Sequence, residues 1–270
     1  LTAAEVNGST TTPIKFVLPG VSADASCDFY VVINRNIADN ITTKAKLLEE
    51  LESDIASYNG TYANVTTKAM RSGGFAMTGT VTAKIVSGTT AVTVTVKRVV
   101  AKVEIQTSMT DSFRTKYGNG CVEVKKITLS RGAEKSYLID QTASKYATVS
   151  SSFTSAQDAY CDKTGASKTN AYKYNNLFYI NEKAAAATGS RIKVVLDAIY
   201  DADGNLSTTA DQVPLSYETE LTGTTDGKML RNGSYKLNVN LDGLTGKDMT
   251  LSIAIANWEA LSTQNVNVGK

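Results

Sequence analysis

Histidine is absent from the 270 residues of this chain. That removes the side chain that most often serves as a general base, activates a Ser or Cys nucleophile, or ligates a metal. Carboxylate or lysine chemistry stays formally open. No pattern singles out any of the 26 acidic residues, however, and unmarked acidic residues are by default solvated surface charge. The chain is therefore expected not to be an enzyme, with no catalytic residue, cofactor or metal assigned. Cysteine is scarce: Cys27, Cys121 and Cys161 lie far apart without CxxC spacing, which argues against zinc. Three buried free thiols are expected, with one disulfide and a spare thiol as the alternative. No apolar run approaches the ~18 residues of a membrane-spanning helix. Basic residues never cluster beyond a KR or KK pair and the net charge is only +2, so no nucleic-acid surface is expected. There is no initial Met and no leader pattern, as expected of a processed or trimmed chain.

Proline is also rare, with three residues, while Thr and Val abound, a composition suited to well-paired sheets. Hydrophobic residues make up 42% and charged residues 20%, enough for a globular core. The most telling stretch is Ala91–Ile105, AVTVTVKRVVAKVEI. Val92, Val94 and Val96 alternate, then the phase slips at Lys97-Arg98 and the apolar set becomes Val99, Ala101, Val103 and Ile105. A one-residue slip turns the opposite face to the core. The stretch should therefore contain a bulge or pass from one sheet to another. Fully extended it would span roughly 50 Å, well beyond an ordinary strand.

Elsewhere the apolar residues alternate in short runs: Ile14, Phe16 and Leu18, then Phe29, Val31 and Ile33. Between Thr42 and Tyr58 the spacing of Leu48, Leu51, Ile55 and Tyr58 is helical, with Thr42 or Thr43 as N-cap and Gly60 as terminator. Phe75 to Ile85 alternates and should pair as a hairpin with the long strand through Ser87-Gly88. Val122 and Val124 are out of phase with Ile127 and Leu129, a second expected bulge. The polar stretch after Asp140 suggests a domain boundary, giving an N-terminal domain over 1–142 and a C-terminal domain over 143–270. The later half reads as strands near 172–180, 192–200, 213–221, 235–241 and 251–255. The expected fold is mainly β, two β-sandwich-like domains with one main helix near 43–58. Asp201-Ala202-Asp203-Gly204-Asn205 begins like a calcium loop, but Gln212 stands where such a loop needs Glu and strands flank it. It reads as a hairpin turn, and no metal is assigned.

Several stretches taken in order resemble the fimbrillin family, the FimA-type or type V pilins of Bacteroidales. They are GGFAMTG followed by KRVVAKVEI, then LFYINEK at Leu177–Lys183, then MLRNGSYKLNVNLDG at Met229–Gly243, and last AIANWEALSTQNVNV at Ala254–Val268. Lys183 stands where the family tends to have Asn. The resemblance implies two transthyretin-like β domains, and a cell-surface location in a fimbrium after export through the outer membrane as a lipoprotein precursor. It implies proteolytic removal of an N-terminal segment, with cleavage immediately before Leu1. Polymerisation would follow by donor-strand exchange, the tail of one subunit filling a groove in the next. Other pilin subunits are the expected partners, in a homopolymer with accessory tip and anchor subunits, and host or bacterial surface receptors are further candidates. In the tail Glu259–Lys270 the donor positions would be Leu261, Gln264, Val266 and Val268. A shaft subunit is the first reading. A tip adhesin or a surface lipoprotein binding carbohydrate or protein is the alternative.

Overall fold

Alternation of apolar and polar residues becomes sheet through most of the protein. The computed structural model describes residues 14–16, 20–22, 24–53, 55–59, 74–86, 88, 90–142, 152–158, 161–162, 173–222, 226–245, 249–257 and 264–268. In chain order these form β1 (Ile14–Phe16), β2 (Ser26–Ile33), α1 (Lys44–Glu49), β3 (Leu51–Glu52), α2 (Ile55–Tyr58), β4 (Met77–Lys84), β5 (Thr90–Val94), β6 (Lys97–Arg98) and β7 (Val100–Met109). There follow α3 (Asp111–Tyr117), β8 (Cys121–Ala133), β9 (Ser136–Tyr137), β10 (Ser152–Asp158), β11 (Cys161–Asp162) and β12 (Lys173–Asn181). The chain continues with β13 (Lys193–Asp201), β14 (Gln212–Glu220), β15 (Gly233–Leu241), β16 (Met249–Asn257) and β17 (Gln264–Val268). The fold is mainly β and sandwich-like.

The largest core lies between a sheet ordered β11-β12-β7-β15-β16 and a sheet ordered β10-β8-β13-β14. Ala101, Val103 and Ile105 of β7 face Val124, Ile127 and Leu196 within it, all buried. The second phase slip is a bulge. Ala198 pairs with Val124 and Asp197 with Lys126, so Lys125 is left over and both apolar sets of β8 reach the core. At one end α3 is capped by Thr110, whose hydroxyl accepts from Phe113 N at 3.1 Å. Buried Phe113 closes that end of the sandwich.

The first slip marks a transfer between sheets. β5 lies in a sheet ordered β1-β17-β5, β6 joins β2 and β4, and β7 is the central strand of the five-stranded sheet. The expected hairpin with Phe75–Ile85 is thus confined to Met77–Arg98 and Thr78–Lys97, while β4 pairs along its length with β2. Gly79 permits the crossing: a Cβ there would lie 2.2 Å from the carbonyl oxygen of Thr95. Strand pairing also runs across the boundary expected at residue 142. β7 and β8 precede it, yet they pair with β15 and β13.

The helical stretch expected over 43–58 is interrupted. Thr43 does cap α1, accepting from Lys46 N at 3.3 Å. Leu51 and Glu52 then leave the helix to pair with Tyr137 and Ser136, and Leu138 N donates to Glu50 O at 2.8 Å. A buried strand partner outweighs a marginal local helix preference. α2 resumes the helix and buries Ile55 and Tyr58 against Phe75, Leu177 and Tyr179. The expected terminator Gly60 lies outside the described residues. Neither Cys121 nor Cys27 is joined in a disulfide; Cys121 is buried, whereas Cys27 is only half-buried, because its strand β2 belongs to a thin sheet. The Cys161 side chain lies outside the described residues.

Candidate functional site: a strand slot and the junction behind it

Strand β17 occupies a slot between β1 and β5, two strands from the first third or so of the sequence. Its ladder with β1 is parallel, Ile14 opposite Val266 and Phe16 opposite Val268. Its ladder with β5 is antiparallel, Val94 opposite Gln264, Val92 opposite Val266 and Thr90 opposite Val268. Three of the expected donor positions, Gln264, Val266 and Val268, therefore lie in this strand, while Leu261 lies outside the described residues. The expected cleavage point before Leu1 adjoins residues 1–13, which are also outside them. Among the described residues, β17 is the only ladder partner of β5. Without it, the backbone of Thr90–Val94 would present an unpaired edge.

The wall of the slot is firm because β5 is packed from behind. Val92 and Val94 are 2% exposed and pack with Phe29, Val31, Val81 and Ala83 of β2 and β4. At the rim of that same sheet, Asp28 takes a hydrogen bond from Lys44 Nζ at 2.6 Å and another from Thr82 Oγ1 at 2.7 Å. Lys44 and then Thr82 hold the Asp28 carboxyl below its ordinary value, and Asp28 in turn raises that of Lys44. This pins the start of α1 to the outer face of β2.

Behind the slot, where β5 has become β7, three of the sequence motifs converge. Asn232, left-handed at φ 57°, accepts from Arg98 N at 3.3 Å and from Arg98 Nη1 at 3.4 Å, and its own N donates to Val100 O at 3.0 Å. Beside it Arg231 is buried with Glu182 in a two-pronged ion pair. Nε donates to Oε2 at 2.9 Å, and Nη2 donates to Oε1. The same guanidinium donates to Leu138 O at 3.1 Å and Tyr137 O at 2.7 Å, while Ser136 Oγ donates to Glu182 Oε1 at 2.9 Å. Lys183 and Met229 exchange backbone hydrogen bonds at 2.9 and 3.0 Å. The KRVV, INEK and MLRN segments thus form one buried joint between the slot-bearing sheets and the main sandwich. Arg231 and Glu182 neutralise one another within the joint, and the Lys183 ammonium donates to Arg131 O at 2.6 Å, so these polar groups are tied into the fold.

No protein-family model and no curated protein sequence matches the chain. Solved structures do match. A suspected cell adhesion protein from Bacteroides eggerthii aligns with a TM-score of 0.54 at 14% identity, covering 90% of this chain and 78% of that one. A second suspected cell adhesion protein, from Parabacteroides distasonis, gives 0.51 at 10% identity, with 87% and 83% covered. A fimbrillin, FimA from Porphyromonas gingivalis, gives 0.50 at 14% identity, with 87% and 81% covered. The fold is fimbrillin-like. Within this fimbrillin-like fold, sequence reasoning located the tail strand and the motifs but missed both walls of the slot. The alternation of Ile14 with Phe16 and of Val92 with Val94 showed that they were strands. Nothing local showed that the last strand would lie between them.

Proposed function

We propose that this chain is a structural subunit of a cell-surface fimbria, a shaft pilin that polymerises by exchanging its C-terminal strand. In this reading it is exported as a lipoprotein precursor, matured by removal of an N-terminal segment, and has no catalytic role. The observation that carries the reading is the slot. A strand near the end of this sequence whose ladder contacts all lie before residue 95 can make the same contacts in a neighbouring copy. Donor and acceptor are then different surfaces, so the contact is head-to-tail and builds an open filament rather than a closed dimer. Strand addition supplies backbone hydrogen bonds, and each buried aliphatic side chain adds about 1.5–3 kcal/mol, so several together make a durable joint. The closed monomer is the competitor, because a tethered tail sees its own slot at an effective concentration of about millimolar.

Deleting Leu261–Lys270 tests this. The truncated chain should remain folded and soluble by circular dichroism and form no filaments under the electron microscope. Normal filaments from it would overturn the reading.

A further inference from the structure

We propose that the loop closing the β13–β14 hairpin is a calcium site built by Asp201, Asp203 and Asp211. Each of the three carboxylates brings an oxygen within 4.8 Å of the other two. Asp201, the last residue of β13, is 0% exposed. Its Oδ2 accepts from Gln212 Nε2 at 3.1 Å, but its Oδ1 is buried without a hydrogen-bond partner. A buried carboxylate that keeps one oxygen unpaired carries a heavy desolvation cost. Asp203 and Asp211 add to that cost, being of like charge, and the ion pairs of the described residues leave all three out. A divalent cation removes both difficulties at once.

The loop is already framed for it. Asp203 Oδ1 accepts from Asn205 N at 2.6 Å, and Asp211 Oδ2 accepts from Asp203 N at 3.0 Å, which leaves each carboxylate a second oxygen for a ligand. Gln212 Nε2 also donates to Thr208 O at 2.8 Å, tying the far side of the loop to Asp201. All the donors are oxygen and none is His or Cys, which selects a hard cation. An all-oxygen set gathered within 4.8 Å suits the flexible coordination of Ca²⁺, whereas Mg²⁺ demands a tight octahedron and holds its water. Gly204, at φ 72°, passes so near Asn119 that a Cβ would lie 2.3 Å from its carbonyl oxygen. The ion would therefore clamp the hairpin tip against the turn between α3 and β8. Sequence spacing hid the site because it looked for Glu at position 212, while the structure brings in Asp211.

The test is calorimetric titration of the chelator-stripped full chain with CaCl2, beside thermal unfolding with and without the ion. One ion should bind with a Kd at or below about 1 mM, as in extracellular modules, and raise the unfolding midpoint. Asp203→Asn and Asp211→Asn should each weaken binding at least about tenfold, with circular dichroism unchanged. Asp201→Asn removes the buried charge, so it should raise the ion-free midpoint while abolishing the calcium-dependent rise. Absence of saturable heat up to about 10 mM, ten times the weakest extracellular sites, would overturn the proposal. So would unchanged affinity in the Asp203→Asn/Asp211→Asn double variant, or an equal response to Mg²⁺ at the same concentration.

Discussion

Arg231 and Glu182 stand for what a single pair of residues does here, since two buried charges are tolerable only while each has the other. Their side chains are 4% and 2% exposed. Replacing Arg231 with Met strands the Glu182 carboxylate and should cost about 3–5 kcal/mol in denaturant unfolding. Adding Glu182→Leu should recover part of that loss, because the buried charge is then gone, although Tyr137 O and Leu138 O lose the guanidinium that donates to them. Equal stability of Arg231→Met and the native chain would show that the joint does not depend on the pair. A second residue-scale expectation concerns alkali. Burial first, then Tyr117, Cys121, Asp211 and Asp201, push the Tyr200 phenol above its ordinary value, and burial does the same for Tyr235. A phenol raised in the folded state contributes stability that is present below about pH 10 and lost as pH climbs through its folded value. Lys183 works the other way. Burial and then Arg131 lower its pKa, so its contribution recovers as pH rises toward the ordinary lysine value. Unfolding midpoints should therefore fall above about pH 10, and Tyr200→Phe should flatten the fall. A uniform offset at every pH in that variant would remove the argument.

At the scale of elements, the crossing from β5 through β6 to β7 depends on Gly79. Gly79→Ala would drive a methyl group into Thr95 O and to 2.9 Å from Val94 Cγ1. The expected cost is about 1–3 kcal/mol, read as a lowered denaturant midpoint, and an unchanged midpoint would mean the strands can separate freely. The phase slip that announces this crossing was legible, because side-chain alternation is a property of neighbours in sequence. The same holds for the Lys125 bulge and for the cap, which the sequence placed at Thr42 or Thr43 and the structure at Thr43. What could not be read was pairing between distant segments. Leu51 fits a helix by spacing, yet Leu51–Glu52 finds Tyr137 and Ser136, so one expected helix became α1 and α2 with β3 between them. The parallel pairing of β7 with β15, far along the chain, left no mark in the local pattern of either strand. In the slot, the β pattern of Val266 and Val268 was visible, but its walls at Ile14–Phe16 and Thr90–Val94 were fixed only by the tertiary fold.

For the whole molecule, the proposed exchange requires the tail to leave its own slot before it enters another. Thr93 and Asn265 are register partners across β5 and β17. Cross-strand partners lie about 4.5–5.5 Å apart at Cα, within the range a disulfide can bridge. Thr93→Cys with Asn265→Cys should therefore latch the monomer closed under oxidising conditions and release it on reduction. Filament growth followed by light scattering should stop in the oxidised protein and resume with a reductant. Equal growth in both states would separate filament formation from the tail.

The position of β7 also bears on how the protein is made. Its two neighbours in the sheet, β12 and β15, both come much later in the chain, and β15 ends at Leu241. A ribosome delivers the N-terminus first, so the Val- and Ile-rich segment at the middle of the largest sheet stays without its last partner until most of the sequence has emerged. Contacts so distant in sequence make folding slow and hold back closure of the sheet until β15 has been made. A nascent chain of this design keeps the middle of its largest sheet open until β15 arrives to close the second edge of β7.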